Sequence, residues 1–293
     1  MKRSLPFLFC VAATCVSCQT KHTDEYMARV GAVLNSRREA SMTVWEDKKI
    51  RGLSPHAYAG LVTTMALPSD ATVKLKQSKG PAGSVRIGIK VRYRNDDGFV
   101  GSVVAITDDG YFLTAAHCAE NLTQMKVVVF TRAKIFAVAP ARVIWKSAGP
   151  SEKGPDFALL HAPLIPFFPI NMADPVQLRT GLPVLTSGST GNKPGHSGGK
   201  ILSLSKRETD SSGAHWRRVG HSAPTAVGDS GGPVIGSDGQ LLAITTAGYW
   251  RFAFPFGLEQ VWGHQSLAVA PDPDWIQSLI YQDRAGRKSK RPT

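Results

Sequence analysis

Gly228-Asp229-Ser230-Gly231-Gly232-Pro233 is the stretch on which the reading of this chain turns. A serine set among glycines has an uncluttered hydroxyl, and the neighbouring backbone N–H groups can converge on one spot where negative charge develops. That suits an acyl-transfer nucleophile. Standing alone, the same composition also describes a Gly-Pro surface turn, so the reading depends on whether a base and an orienting acid lie elsewhere in a matching context.

Both lie upstream. Tyr111-Phe112-Leu113-Thr114-Ala115-Ala116-His117-Cys118 places a histidine just after an apolar strand, among small residues that let the turn pack tightly, where a general base is held rigidly. Gly154-Pro155-Asp156-Phe157-Ala158-Leu159-Leu160 puts an aspartate at the mouth of another apolar strand, where a carboxylate can hold an imidazole in its useful tautomer. The chain order is His, Asp, Ser. Singly these are a core histidine, a strand-capping aspartate and a turn; in combination they point to a catalytic set.

With its T-A-A-H-C, D-x-A-L-L and G-D-S-G-G-P motifs in this order, the chain resembles the chymotrypsin-like serine proteases, over about residues 84–282. The resemblance implies two six-stranded antiparallel β-barrels with a C-terminal helix, an all-β fold with the site in the cleft between the barrels. It implies an endopeptidase with Ser230 as nucleophile, His117 as base and Asp156 as orienting acid, the N–H groups of Gly228 and Ser230 forming the oxyanion hole. The substrate side chain before the scissile bond would meet Pro224 and Thr225 at the pocket base and Thr246, Ala247 and Gly248 along its wall. No acid stands at Pro224 to attract Arg or Lys, so small or apolar residues are expected there. His221 suggests acidic residues instead, but its spacing does not match the glutamyl-specific pattern.

Departures from the animal pattern place the chain nearer the family's bacterial, disulfide-poor branch. The partner position of Cys118 falls near Phe99, and Ala226 replaces another bridging cysteine, so Cys118 is expected to be a buried free thiol. Arg86-Ile87-Gly88 imitates an activation cleavage site whose new amino terminus would pair with Asp229. Ile87 lies too close to Gly101 for that, so an ordinary first strand is expected and Asp229 needs another partner.

The flanking texture fits many short strands divided by Gly, Asp and Pro, which indicates barrels or sandwiches over a parallel sheet. They are expected at 85–93, 101–107, 111–114, 126–130, 141–145, 157–161, 182–187, 200–205, 216–220, 233–235, 241–247 and 266–270. Asp272-Pro273-Asp274 opens a terminal helix over 274–282, with Trp275, Ile276, Leu279 and Ile280 at helical spacing. Beyond it, residues 284–293 carry a basic run and are expected as a disordered tail.

Upstream, residues 1–20 read as an export signal: Lys2 and Arg3 precede an apolar run too short to span a membrane. Cys10, Cys15 and Cys18 all fall inside it, which removes any disulfide framework from the mature chain. Val16-Ser17-Cys18 resembles a bacterial lipoprotein processing site, making Cys18 a lipidation candidate beside simple cleavage and pointing to a cell-envelope or secreted location. Residues 21–83 read as an extension, with an amphipathic helix over 24–38 and then a spacer or an inhibitory prosegment. The protease domain is expected over 84–283.

Thirty-five Lys and Arg against 22 acids give a net charge of +13, which favours anionic surfaces or simply solubility. No nucleic-acid module accompanies that charge, and export argues against one. No cofactor is expected, and the scattered His215, His221 and His264 give no metal spacing. Gly195-His196-Ser197-Gly198-Gly199 satisfies the G-x-S-x-G pattern of esterases, but Pro194 precedes it and a strand, not a helix, is expected to follow. The rival from another class is a protease-fold binding protein without catalysis.

Overall fold

A computed structural model describes residues 65–68, 72–79, 85–92, 101–119, 124–130, 136–147, 155–166, 169–188, 195–225, 228–253 and 260–289. The amphipathic segment over 24–38, Cys18, Phe99 and Ala226 lie outside them. The first half contributes β1 (Met65–Pro68), β2 (Thr72–Lys79), β3 (Val85–Arg92), β4 (Gly101–Ser102), β5 (Val104–Ala105), β6 (Tyr111–Thr114), β7 (Gln124–Phe130), β8 (Phe136–Lys146) and β9 (Ala158–His161). Seven of them form one antiparallel sheet in the order β4-β1-β7-β8-β9-β6-β5, while β2 and β3 pair with each other. The sheet curls into a half-barrel, and Val103 interrupts the stretch that supplies its two end strands, β4 and β5.

The second half contributes β10 (Pro183–Gly188), β11 (Gly195–Leu204), β12 (Glu208–Thr209), β13 (His215–His221), β14 (Pro233–Gly236), β15 (Leu241–Ala253), β16 (Gln260–Pro271) and a helix, α1 (Pro273–Ser289). Its sheet order is β11-β10-β14-β15-β16-β13-β12, and an added β11–β13 pairing closes six of these strands into a barrel. This is the chymotrypsin-like double barrel.

The motif strands read as unbroken apolar runs because both of their faces are covered. In β6, Phe112 joins the interior cluster of the first barrel with Met125, Val127 and Leu160, whereas Tyr111 and Leu113 join a second cluster. That second cluster includes Phe157 and Leu159 from the first half and Leu185, Trp216, Ile235, Ile244, Ile276 and Ile280 from the second. It is the apolar seam between barrels. Period-two alternation is present but separates two cores instead of core from solvent.

Two boundaries differ from the sequence reading. Met65–Pro68 pairs with both β4 and β7, so the first sheet begins inside the segment read as an extension. Four residues ending in proline carry no alternation signal. The helix starts as expected, with Asp272 Oδ1 accepting from the N–H groups of Asp274 (3.1 Å) and Trp275 (3.2 Å). However, it runs on to Ser289, so Arg284 and Arg287, read as tail, are helical. Ile87 sits within β3 opposite Gln77, an ordinary strand position.

Candidate active site

His117 lies on a single 3-10 turn, Ala116–Ala119, immediately after β6, and Asp156 lies just before β9. Antiparallel pairing sets Thr114 opposite Ala158, which carries the two side chains to one spot. Asp156 grips the histidine twice: Oδ1 accepts from the His117 backbone N–H at 3.0 Å, and Oδ2 lies 2.7 Å from Nδ1. A carboxylate only accepts, so Nδ1 carries a proton, and in the neutral ring Nε2 is then the nitrogen with the free lone pair. The Lys146 ammonium braces the same turn by donating to the Ala119 carbonyl at 2.9 Å.

Burial pulls the His117 pKa down, but the adjacent Cys118 sulfur and the Asp156 carboxylate favour the imidazolium more strongly, leaving it well above the ordinary imidazole value. Cys118 is a buried free thiol, as expected.

Ser230 comes from the other barrel, on the loop before β14. Gly228 and Gly231 hold φ of 98° and 84°, the left-handed region that a side chain disfavours. The loop is fixed from both sides. The Gly231 N–H donates to Thr245 O at 2.7 Å and the Gly232 N–H to Asp229 O at 2.8 Å. From the first sheet, the Ser102 N–H donates to Ser230 O at 2.7 Å, the Ser102 hydroxyl to Gly228 O at 2.8 Å, and the Cys118 thiol to Ser230 O at 3.9 Å. A Cβ on Gly101 would collide with Cys118 Sγ and lie 2.9 Å from Ser230 O. The serine backbone is therefore locked one residue from His117, while the Ser230 hydroxyl makes a long 3.5 Å bond to Thr246 O.

Among the pocket residues expected from the sequence, Pro224 and Thr225 are buried, and Thr246, Ala247 and Gly248 lie half-buried on β15. Beyond Ile244 the recorded pairing of β15 is with β16, along residues 245–253. Asp229 is buried, with its carboxylate filling the space a Gly188 side chain would need. Ser197, the serine of the G-x-S-x-G pattern, is fully buried within β11. It is no nucleophile elbow. Ser102, Gly101 and Thr114, whose hydroxyl donates to Ser102 O at 2.7 Å, were not singled out from sequence, because their partners are remote in the chain.

The chain matches the family described as trypsin-like peptidase domain over residues 98–244, just over half its length and inclusive of all three motifs. No curated protein matches it. Among solved structures it is similar to an HtrA-type protease AlgW with decapeptide, at 17% identity and a TM-score of 0.50, covering 78% of this chain and 68% of that one. A second, HtrA-type protease AlgWS227A with decapeptide, is 18% identical at a TM-score of 0.47, covering 76% of this chain and 64% of that one. Because that match covers just over half of the chain, the chain belongs to the trypsin-like peptidase family.

Proposed function

We propose that this protein is a serine endopeptidase working through an acyl-enzyme at Ser230. The observation that carries the reading is the double grip of Asp156 on His117 beside a backbone-locked Ser230. Neutral His117 takes the Ser230 proton at Nε2 as Oγ attacks the scissile carbonyl; the imidazolium, stabilised by Asp156, then delivers that proton to the leaving amine. Water repeats the sequence to release the acid. The N–H groups of Gly228 and Ser230 are the proposed donors to the oxyanion, while those of Gly231 and Gly232 bond Thr245 O and Asp229 O. The substrate backbone adds as a strand along Thr246, Ala247 and Gly248. Pro224 offers no carboxylate to a basic side chain.

The test is labelling by a fluorophosphonate. Labelling of the wild type that disappears in Ser230→Ala, together with peptide cleavage lost in the same variant, supports the reading. An unreactive wild type points instead to the binding-protein alternative. We further propose export, with Cys18 either lipidated or removed with the signal; mass spectrometry of the mature amino terminus separates the two.

A further inference from the structure

The interior of the closed barrel changes character along its axis. Residues opposite one another on adjacent strands share a face of the sheet, so the ladder traces which side chains look inward. Val184, Ile201, Val219, Val234, Ala243 and Ala268 form its apolar cluster. Toward the end that carries Ser230 the same face turns polar: Thr186 stands opposite Ser197, His221 opposite Ser266, and Thr245 opposite Ala268. With Thr225 these side chains are at most 3% exposed.

Part of this layer is internally satisfied. Thr225 Oγ1 lies 2.7 Å from Ser266 Oγ, which donates to Ala223 O at 2.8 Å, and Thr186 Oγ1 donates to Ser197 O at 3.4 Å. The hydroxyls of Ser197 and Thr245 are buried and have no hydrogen-bond partner among the described residues. A barrel packed only for stability carries valine or alanine at such places, since an unmatched buried hydroxyl is destabilising. The layer also adjoins the site: Thr245 holds Gly231 and Gly232 of the nucleophile loop through its backbone, and Ser266 stands opposite Gly248.

We infer that this polar layer is the floor of the pocket for the side chain preceding the scissile bond, and that it selects a side chain ending in a carbonyl oxygen, carboxamide or carboxylate. The inference rests on the endopeptidase reading and replaces the small-or-apolar expectation. Gly248, opposite Ser266, puts no side chain over the layer. Uncommitted hydroxyl protons on Ser197 and Thr245 suit an acceptor, an aliphatic end leaves them unmatched, and a basic end meets no carboxylate in the layer.

The experiment uses peptides identical except for Gln, Glu, Leu, Ala or Lys before the scissile bond. Gln or Glu should exceed Leu and Lys at least tenfold in kcat/KM, and the Gln-to-Glu ratio tells carboxamide from carboxylate. Thr245→Val and Ser197→Ala should each cut that preference about fivefold or more while leaving the melting temperature equal or higher, because each removes an unmatched buried hydroxyl. Should one variant fail to fold, the other carries the test. A wild type that prefers Leu or Ala, or variants that keep the polar preference, overturn the inference. If Ser230 labels with fluorophosphonate but cleavage is unselective, the floor is wrong and the peptidase reading stands. If Ser230 neither labels nor cleaves, both fall.

Discussion

At the scale of single residues, the Asp156 grip makes opposite demands on activity and stability. The proposed mechanism needs neutral His117, yet its pKa is raised well above 6.5: burial lowers it, and the Cys118 sulfur and the Asp156 carboxylate raise it further than burial lowers it. The kcat/KM profile should therefore rise with pH through a midpoint above the ordinary imidazole value. A midpoint at acid pH would contradict His117 as base. Asp156→Asn should slow turnover by roughly 10⁴-fold, the loss known for the equivalent change in a template triad, and move the midpoint down. In folding the sign reverses. A histidine pKa raised in the folded state adds stability below about 6.5, the unfolded value, and that stability is lost as pH climbs through the folded pKa. Denaturant midpoints of the wild type should fall across that alkaline window, and His117→Phe should flatten the fall. Gly101→Ala is a steric test of the same spot. Its Cβ would meet Cys118 Sγ and Ser230 O, so a loss on the order of 1–3 kcal/mol in thermal or urea unfolding is expected, together with lower activity.

At the scale of elements, α1 shows what remote pairing hides from a sequence. Its basic residues look like a solvated tail because their partners lie more than a hundred positions away. Arg284 makes two bonds to Asp109, at 2.9 and 2.7 Å. Arg287 reaches Tyr111 Oη at 2.6 Å and His161 Nε2 at 2.8 Å, and Asp283 accepts from Tyr111 at 2.8 Å and Arg142 at 2.9 Å. Trp275 closes edge-on against Trp145 at 4.8 Å. By contrast, the motif strands β6 and β9 were legible, since their signals are local: an apolar run, a turn and one polar residue. The same reasoning explains why β1, paired only with remote strands, carries no such signal. His161 accepts from Arg287 only while neutral, and burial, then Arg287, hold its pKa below the usual value. A histidine pKa depressed in the folded state contributes stability above about 6.5 that is lost as pH falls through the folded value. The melting temperature should therefore drop between neutral and mildly acid pH, and His161→Gln should reduce that dependence. An unchanged slope in the variant would remove His161 from the account.

At the scale of the molecule, the proposed chemistry is divided between two barrels, so its precision depends on what joins them. The apolar seam of Leu113, Phe157, Leu159, Leu185, Trp216 and Ile235 sets their separation, but dispersion contacts are not directional. Direction comes from Ser102. This residue belongs to β4 of the half-barrel, yet its hydroxyl holds Gly228 O and its N–H holds Ser230 O, so it aims the loop of one barrel at the histidine of the other. Thr114 in turn fixes the Ser102 carbonyl. In Ser102→Ala the backbone bond to Ser230 survives and the Gly228 carbonyl is left buried without its hydroxyl donor. The cost should be about 1–3 kcal/mol of stability. Because Gly228 is a proposed oxyanion donor, the larger effect belongs to the transition state: kcat should fall about tenfold or more while KM changes little. Ser102→Thr keeps the hydroxyl but adds a methyl in a fully buried position, so it should restore part of kcat at some cost in melting temperature. Steady-state kinetics of the two variants on one peptide decides the matter. Equal loss in kcat and rise in KM would mean that Ser102 merely holds the barrels together, and recovery of kcat in the threonine variant would mean that it aims the loop.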